Sequence, residues 1–260
     1  MITTYYKASG AGLRFALVTD LHEKNDEELV ELIRKQKPDA ILLAGDILER
    51  IGDCEDLAEE WQAKANGKGS RLLANILAFP LILLKRHDFT ESNNGLEFLS
   101  EISDIAPVFY SMGNHEWYFT DKDAELFAEQ GITVLDNADM EVAIKGEKIR
   151  VGGLSTRFDL DWLKEYSRKS GYKILLCHHP EYYRKMIMNT EWDTFDLVLG
   201  GHYHGGQWRV LNRAVYVPRL GIMMPDMVGQ FGKLIISAGA ANSSSIPRLG
   251  NPCELVIIDA

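Results

Sequence analysis

Cysteine is scarce in this chain: Cys54, Cys177 and Cys253 are the only three, an odd number with no paired spacing. That excludes a disulfide scaffold and fits a reducing compartment. Basic charge is in deficit, with 28 Lys and Arg against 38 Asp and Glu and a net charge of −10. A general nucleic-acid binder needs a basic face, so nucleic acid is not an expected partner. A phosphate-bearing substrate stays open, because bound dications invert the local field. No apolar run reaches the ~20 residues that span a bilayer. No basic segment followed by an apolar one occurs between Met1 and Gly10, so no secretory signal is expected, and the expected location is the cytoplasm. Internal repeats, low-complexity tracts and linkers are also missing, which leaves a single domain over residues 1–260.

What the chain does have is five short polar clusters, each closing an apolar run. They are Asp20-Leu21-His22, Gly45-Asp46, Gly113-Asn114-His115-Glu116, Cys177-His178-His179-Pro180 and Gly201-His202-Tyr203-His204. Asp20 and His22 follow Leu13 to Thr19, and at strand spacing residues two apart point to one side. Their carboxylate and imidazole are therefore expected to converge. Asp46 follows the buried-strand run Ala40 to Ala44, and Gly45 lets the backbone turn so that the carboxylate faces the same rim. Asn114 offers a neutral amide oxygen. His178 ends the run Ile174 to Cys177, while His202 and His204 follow Leu197 to Leu199, again two apart. Oxygen and nitrogen donors without thiolate suit manganese, iron, zinc or nickel better than a cysteine-rich structural zinc site.

The series D-x-H, G-D, G-N-H-E, H-x-P and G-H-x-H resembles the calcineurin-like metallophosphoesterase superfamily, over about residues 12–258. The resemblance implies a centre of two divalent ions, manganese first, with iron, zinc or nickel as alternatives. It assigns Asp20, His22, Asp46 and His204 to one ion. It assigns Asp46, Asn114, His178 and His202 to the other, with Asp46 as the shared bridge. Two ions about 3.5–4 Å apart clamp a phosphate and hold a bridging hydroxide that attacks phosphorus in line. His115 is implied as the catalytic residue that protonates the leaving oxygen or stabilises transition-state charge. The implied activity is metal-dependent hydrolysis of a phosphodiester, pyrophosphate or phosphomonoester.

The tail Pro247 to Ile258, with Gly205-Gly206-Gln207, is similar to the YkuE-type branch of small bacterial phosphodiesterases and to some lipid A pathway pyrophosphate hydrolases. That implies a small-molecule or lipid-linked phosphate as substrate. Two departures bear on it. Glu23-Lys24-Asn25 stands where many relatives carry glycine, and the segment between G-D and G-N-H-E is longer than in many. The alternative reading is a non-catalytic metal-binding scaffold or adaptor of the same fold. The intact ligand series and His115 weigh against it.

Apolar periodicity predicts strands at Leu13 to Thr19, Ala40 to Ala44, Val108 to Met112 and Ile132 to Leu135, with helices at about Asp26 to Lys37 and Asp121 to Gln130. A hairpin at Met140 to Gly152 follows, then helix Leu160 to Lys169, strand Tyr172 to Cys177, helix Glu181 to Asn189 and strand Leu197 to Leu199. Mainly strands close the chain, at Gln207 to Val210, Ala214 to Val217, Lys233 to Ser237 and Glu254 to Asp259. This order predicts an α/β fold, a four-layer αββα sandwich of two mixed β-sheets flanked by helices. The polar clusters then lie on loops leaving strand C-termini, where such sheets bind ligands.

Residues 50–106 form a long insertion between two of those loops, a candidate lid or cap. Its segment 72–84 is almost wholly apolar, flanked by Arg71 and Lys85-Arg86, and Pro80 is expected to kink or end a helix there. It is read as a helical hairpin on the core or a dimer contact. The sharper reading is an apolar lid for a lipid tail, making peripheral membrane contact through residues 72–84.

Arg157 is a candidate phosphate contact through its bidentate guanidinium, or a partner in a surface ion pair. Tyr203, between two candidate ligands, is a candidate pocket residue. His179 is read as a non-ligand, because adjacent strand residues face opposite ways. Glu116 is read as orienting His115 or the backbone. Met223 to Met227 is read as a loop, either core filler or an adaptable apolar wall.

Overall fold

The computed structural model describes residues 1–24, 27–50, 94–210, 213–217, 221–244 and 246–260. The expected lid at 72–84 lies outside these residues, as do Cys54, His87 and the expected helix start at Asp26. Among the described residues no helix is long and apolar enough to cross a membrane.

Strands β2 (Arg14–Val18), β3 (Ala40–Ala44) and β4 (Val108–Ser111) are short apolar runs buried almost throughout. Parallel strands covered on both faces read this way. They pair in parallel, and β5 (Ile132–Val134) follows β4. On the other side β15 (Glu254–Asp259) pairs antiparallel with β2, and β1 (Ile2–Lys7) runs parallel to β15 at the edge. The order is β1-β15-β2-β3-β4-β5.

A second six-stranded sheet contains β6 (Ala138–Ile144), β7 (Glu147–Leu154), β8 (Tyr172–Cys177), β9 (Leu197–Gly200), β13 (Gly229–Phe231) and β14 (Leu234–Ile236), in the order β13-β14-β9-β8-β7-β6. Its four inner strands are parallel and its two edges antiparallel. A small antiparallel sheet is built from β10 (Trp208–Val210), β11 (Arg213–Val217) and β12 (Gly221–Met224).

Alternation along each strand sends side chains to opposite faces, and three apolar cores result. Phe15, Leu17, Leu42 and Phe109 of the first sheet meet Val151, Ile174, Leu176 and Leu199 of the second. The outer face of the first sheet, through Val18, Ile41 and Leu43, takes Leu29 and Ile33 of α1 (Glu27–Gln36), Phe98 and Ile102 of α2 (Asn94–Ser103), and Phe127 of α3 (Asp121–Glu129). The outer face of the second sheet packs Leu175 and Val198 against Leu163 and Tyr166 of α4 (Leu160–Arg168). Two sheets between two helical layers make the four-layer αββα sandwich that the sequence implies. Helix α2, inside the segment read as an insertion, is part of the first outer core.

Local signals set several boundaries. Thr120 caps α3 in a reciprocal box with Asp123, and Gly131 leaves that helix at φ +73. Asp159 caps α4 by accepting from the backbone N–H groups of Asp161 and Trp162. The expected helix Glu181 to Asn189 is instead one α-turn, Pro180–Tyr182, running into a π-turn, Tyr183–Ile187. Tyr183 and Ile187 are the residues of that π-turn that face the core. β1 escaped the sequence because its exposed pattern on a sheet edge does not alternate cleanly. Met223 and Met224, expected in a loop, lie in β12.

Leu176 is fully buried between the two sheets. Leu176→Ala should lower the unfolding free energy by about 2–5 kcal/mol in a denaturant titration. A shift within error would mean that the two sheets are not joined through this core.

Candidate metal centre

Each polar cluster begins within three residues of the C-terminal end of β2, β3, β4, β8 or β9. The chain there leaves the strand abruptly. Asp20 (φ 53), His22 (φ 52), Asp46 (φ 55), His202 (φ 70) and His204 (φ 49) all adopt left-handed backbone. For non-glycine residues each costs on the order of 1 kcal/mol, and such strain gathers at functional sites. The convergence of Asp20 with His22 therefore comes from left-handed turns beyond β2, not from the alternation of a strand. Gly45 (φ +85) has no alternative residue, since a Cβ there would meet His178 Nδ1 at 2.6 Å. At Gly113 a Cβ would stand 2.2 Å from Asp46 Oδ1.

These turns bring the candidate ligands together. His178 Nε2 lies 3.1 Å from Asp46 Oδ2, while His115 Nε2 and His22 Nε2 lie 3.9 and 4.0 Å from the same oxygen. His204 Nε2 is 3.5 Å from Asp20 Oδ1 and 3.3 Å from His22 Nε2. Donor atoms fall into groups that are mutually within 4.8 Å: Asp20 with His22 and His204, Asp20 with Asp46 and His178, His22 with Asp46 and His115, and His178 with His179 and His202.

Hydrogen bonds from behind fix the rings. Glu49 Oε1 accepts from His22 Nδ1 at 2.6 Å, and Oε2 accepts from His115 Nδ1 at 2.7 Å. One carboxylate thus turns both Nε2 atoms toward Asp46. His178 Nδ1 donates to the Ala44 carbonyl at 2.8 Å. Glu116 binds the loops instead of a ring, accepting from the backbone N–H groups of Gly113, Asp46 and Leu48 at 2.7, 2.9 and 2.8 Å. Asp46 Oδ1 accepts from the His115 backbone N–H at 2.9 Å, and Asp20 accepts from that of His202 at 3.1 Å.

Asp20 and Asp46 are only 0 and 1% exposed. Burial alone would raise both carboxyl pKa values, yet both are lowered by the imidazoles around them, His204 and His178 for Asp20 and His178 and His115 for Asp46. The same coupling works on the rings. Burial opposes protonation, but Asp46 drives His178 up to about 10 and, with Glu49, His115 up to about 9. His202 goes the other way, down to about 3, through burial beside His179 and His178. His204 falls to about 4, through burial with Arg248 and His22 alongside, although Asp20 opposes it. The buried carboxylates need positive charge, and without another source the imidazoles supply it as protons.

Asn114 Oδ1, His178 Nε2 and His179 Nδ1 are buried and lack a hydrogen-bond partner. The 3.1 Å approach of His178 to Asp46 does not have hydrogen-bond alignment. Buried donor atoms without partners, beside acidic oxygens, fit divalent cations bound by oxygen and nitrogen.

The structure brings Asp20, His22, Asp46, His115, His178, His202 and His204 together, with Asn114 in the 3-10 turn that carries His115. Two candidates are engaged elsewhere. The Arg157 guanidinium donates to Asp136 at 2.7 Å, the surface ion-pair alternative. The Tyr203 hydroxyl donates to Glu181 at 2.8 Å. Glu49 was missed by sequence reasoning, although it stands three residues after Asp46 on the same loop. Arg248 was missed as well, and its guanidinium donates to His204 Nδ1 at 3.1 Å and to the Ala238 carbonyl at 2.7 Å.

The family model described as calcineurin-like phosphoesterase matches residues 13–206, an interval that holds all eight candidate catalytic and metal residues. An uncharacterized metallophosphoesterase of Campylobacter jejuni is 24% identical over 95% of this chain and 59% of its own length. An uncharacterized protein of Bacillus subtilis is 25% identical over 76% of this chain and 63% of its own. The phosphodiesterase YaeI of Escherichia coli is 27% identical over 79% and 66% respectively. The chain thus spans about three-fifths of the first two relatives. Among solved structures, the phosphoesterase Yfce of Escherichia coli aligns over 94% of this chain and 87% of its own, with a TM-score of 0.37 and 14% identity.

Glu49→Ala should free both rings that the carboxylate holds. Manganese affinity, measured by titration calorimetry, should fall about 10–100-fold, as it does when an outer carboxylate on a ligating histidine is removed. Unchanged affinity would mean that Glu49 does not orient a ligand.

Proposed function

The chain belongs to the calcineurin-like phosphoesterase family, and from that membership we propose that it is a phosphoesterase working through two divalent ions. The observation that carries this reading is the convergence of carboxylates and imidazoles on Asp20 and Asp46. Asp20, His22, Asp46 and His204 would hold one ion, and Asp46, Asn114, His178 and His202 the other. Manganese is the first choice for a mixed set of oxygen and nitrogen donors without thiolate, with iron, zinc or nickel as alternatives. When bound, such ions neutralise phosphate charge and lower the pKa of water at the centre.

The protein's own groups do the rest. Glu49 holds His115 by Nδ1, which leaves Nε2 facing the centre 3.9 Å from Asp46. A proton held there can pass from Nε2 to the leaving oxygen as the ester bond breaks. The field of Asp46 and Glu49 keeps that proton on the ring in the metal-free protein. Glu116 holds the Gly113 and Asp46 loops in register, so the distance from His115 to Asp46 is set by backbone hydrogen bonds. Phosphodiesters and pyrophosphates are the substrates to try before monoesters. The phosphodiesterase YaeI is one relative whose name points the same way. A lipid-linked substrate rests on residues 72–84, which the structure does not describe.

The test is metal content with hydrolysis of bis-p-nitrophenyl phosphate in added manganese. Turnover should vanish with a chelator and return with metal. His115→Ala should keep the ions while kcat drops by about 10²–10⁴-fold. A protein that takes up no divalent metal, or a His115→Ala variant at full rate, would sink the proposal.

A further inference from the structure

β8 ends at Cys177, and His179 caps the helical turn that starts at Pro180, with φ −91° and ψ 98°. The pleat that sends adjacent strand residues to opposite faces therefore stops before the pair His178 and His179. Their rings stand edge to face with centroids 5.0 Å apart, and the His179 ring lies 4.3 Å from that of His202. One donor nitrogen each from His178, His179 and His202 lies within 4.8 Å of the other two. Among the described residues His202 enters such a group of histidine and carboxylate donors only together with His178 and His179.

His179 is braced from one side. Its Nε2 lies 3.0 Å from Thr156 Oγ1, and its ring rests against Tyr182 at 4.7 Å between centroids. The other nitrogen, Nδ1, is buried and has no hydrogen-bond partner, in a residue only 7% exposed. Glu181 Oε1 is 3.4 Å from it, without the alignment of a hydrogen bond, and Glu181 accepts the Tyr203 hydroxyl with Oε2 at 2.8 Å. Glu49 makes the contrast: it closes to 2.6 and 2.7 Å on its two imidazoles. With Nε2 donating to Thr156 Oγ1, Nδ1 carries a lone pair that no donor satisfies, with two other imidazoles alongside, and that is the arrangement of a ligand atom.

We propose that His179 is a metal ligand, which joins His178 and His202 through Nδ1 in a three-imidazole face on the second ion. The inference rests on the two-ion reading above. It makes the two positions chemically unequal. Asp20, His22, Asp46 and His204 supply two carboxylates and two imidazoles, whereas the His178, His179 and His202 face adds three imidazoles on the other side. Imidazole suits zinc, iron, copper or nickel, while carboxylate oxygen also suits manganese and magnesium. The second position should therefore prefer zinc or iron to manganese.

The full chain, labelled with ¹⁵N-histidine and loaded with ¹¹³Cd, gives a direct readout. A scalar coupling between cadmium and the His179 Nδ1, assigned by its loss in His179→Gln, is the expected result. In zinc calorimetry His179→Gln should weaken one of the two binding steps by at least the roughly 10–100-fold that loss of an outer partner costs. The other step should keep its affinity. Two ions bound without cadmium coupling to His179, and with both affinities intact in the variant, would overturn this proposal alone. It would leave His179 as a buried bridge between Thr156 and Glu181. No ions bound in the unaltered protein would overturn the two-ion reading as well. If His179→Gln does not fold, through-bond correlations from the His179 backbone to its ring assign the coupled nitrogen in the unaltered chain, so the coupling still decides the matter.

Discussion

Two carboxylates, Asp20 and Asp46, are buried where the rims of the two sheets meet. An ionised carboxylate taken out of water without compensation costs several kcal/mol. Much of the surrounding structure answers that cost. Four imidazoles face the pair, and backbone N–H groups of His115 and His202 donate to it. His178 and His115 are both shifted toward the protonated form by the same charge. Divalent cations meet the demand more fully than protons, because they bring more charge and accept lone pairs from several donors at once. The stress that burial places on the fold is thus also the source of its chemistry.

Three glutamates set the precision of the centre in different ways. Glu116 acts on backbone: its two oxygens gather three N–H groups from two loops, in a pocket where burial and Asp46 raise its own pKa. Glu49 acts on rings, and the two imidazoles it binds pull its pKa down to about 2 against burial. Glu181 stands on the opposite side, bound to Tyr203 and close to His179 and His202. Only Glu49 and Glu116 close to hydrogen-bond distance on groups of the centre. The open geometry around Glu181 and the unpartnered Nδ1 of His179 distinguish the second side from the first.

Much of the scaffold was legible because burial on both faces leaves a plain mark. The runs Ala40 to Ala44 and Ile174 to Cys177 are short, apolar and closed by polar residues, and both became parallel strands with those polar residues at their C-terminal ends. Strand geometry does not extend past the strand ends. Left-handed turns, not alternation, make Asp20 and His22 converge, and the backbone of His179 already belongs to the next turn. Edge strand β1 carries little pattern, because it packs on β15 and leaves Tyr5 exposed. The Tyr183–Ile187 segment shows a helical apolar spacing, and nothing in that spacing separates an α-turn from a π-turn.

Sequence alone determined the donor types, their order and their attachment to strand ends, since each of those is a property of a few adjacent residues. It determined the layering for the same reason, through the periods of the apolar runs. Tertiary structure decided which donors face one another. Glu49 reaches His22 across 27 positions and His115 across 66, and Arg248 reaches His204 across 44. It also decided that Arg157 meets Asp136 and that Tyr203 meets Glu181. The physical reason is that orientation of a side chain depends on a partner brought close by packing, and local patterning carries no record of that partner.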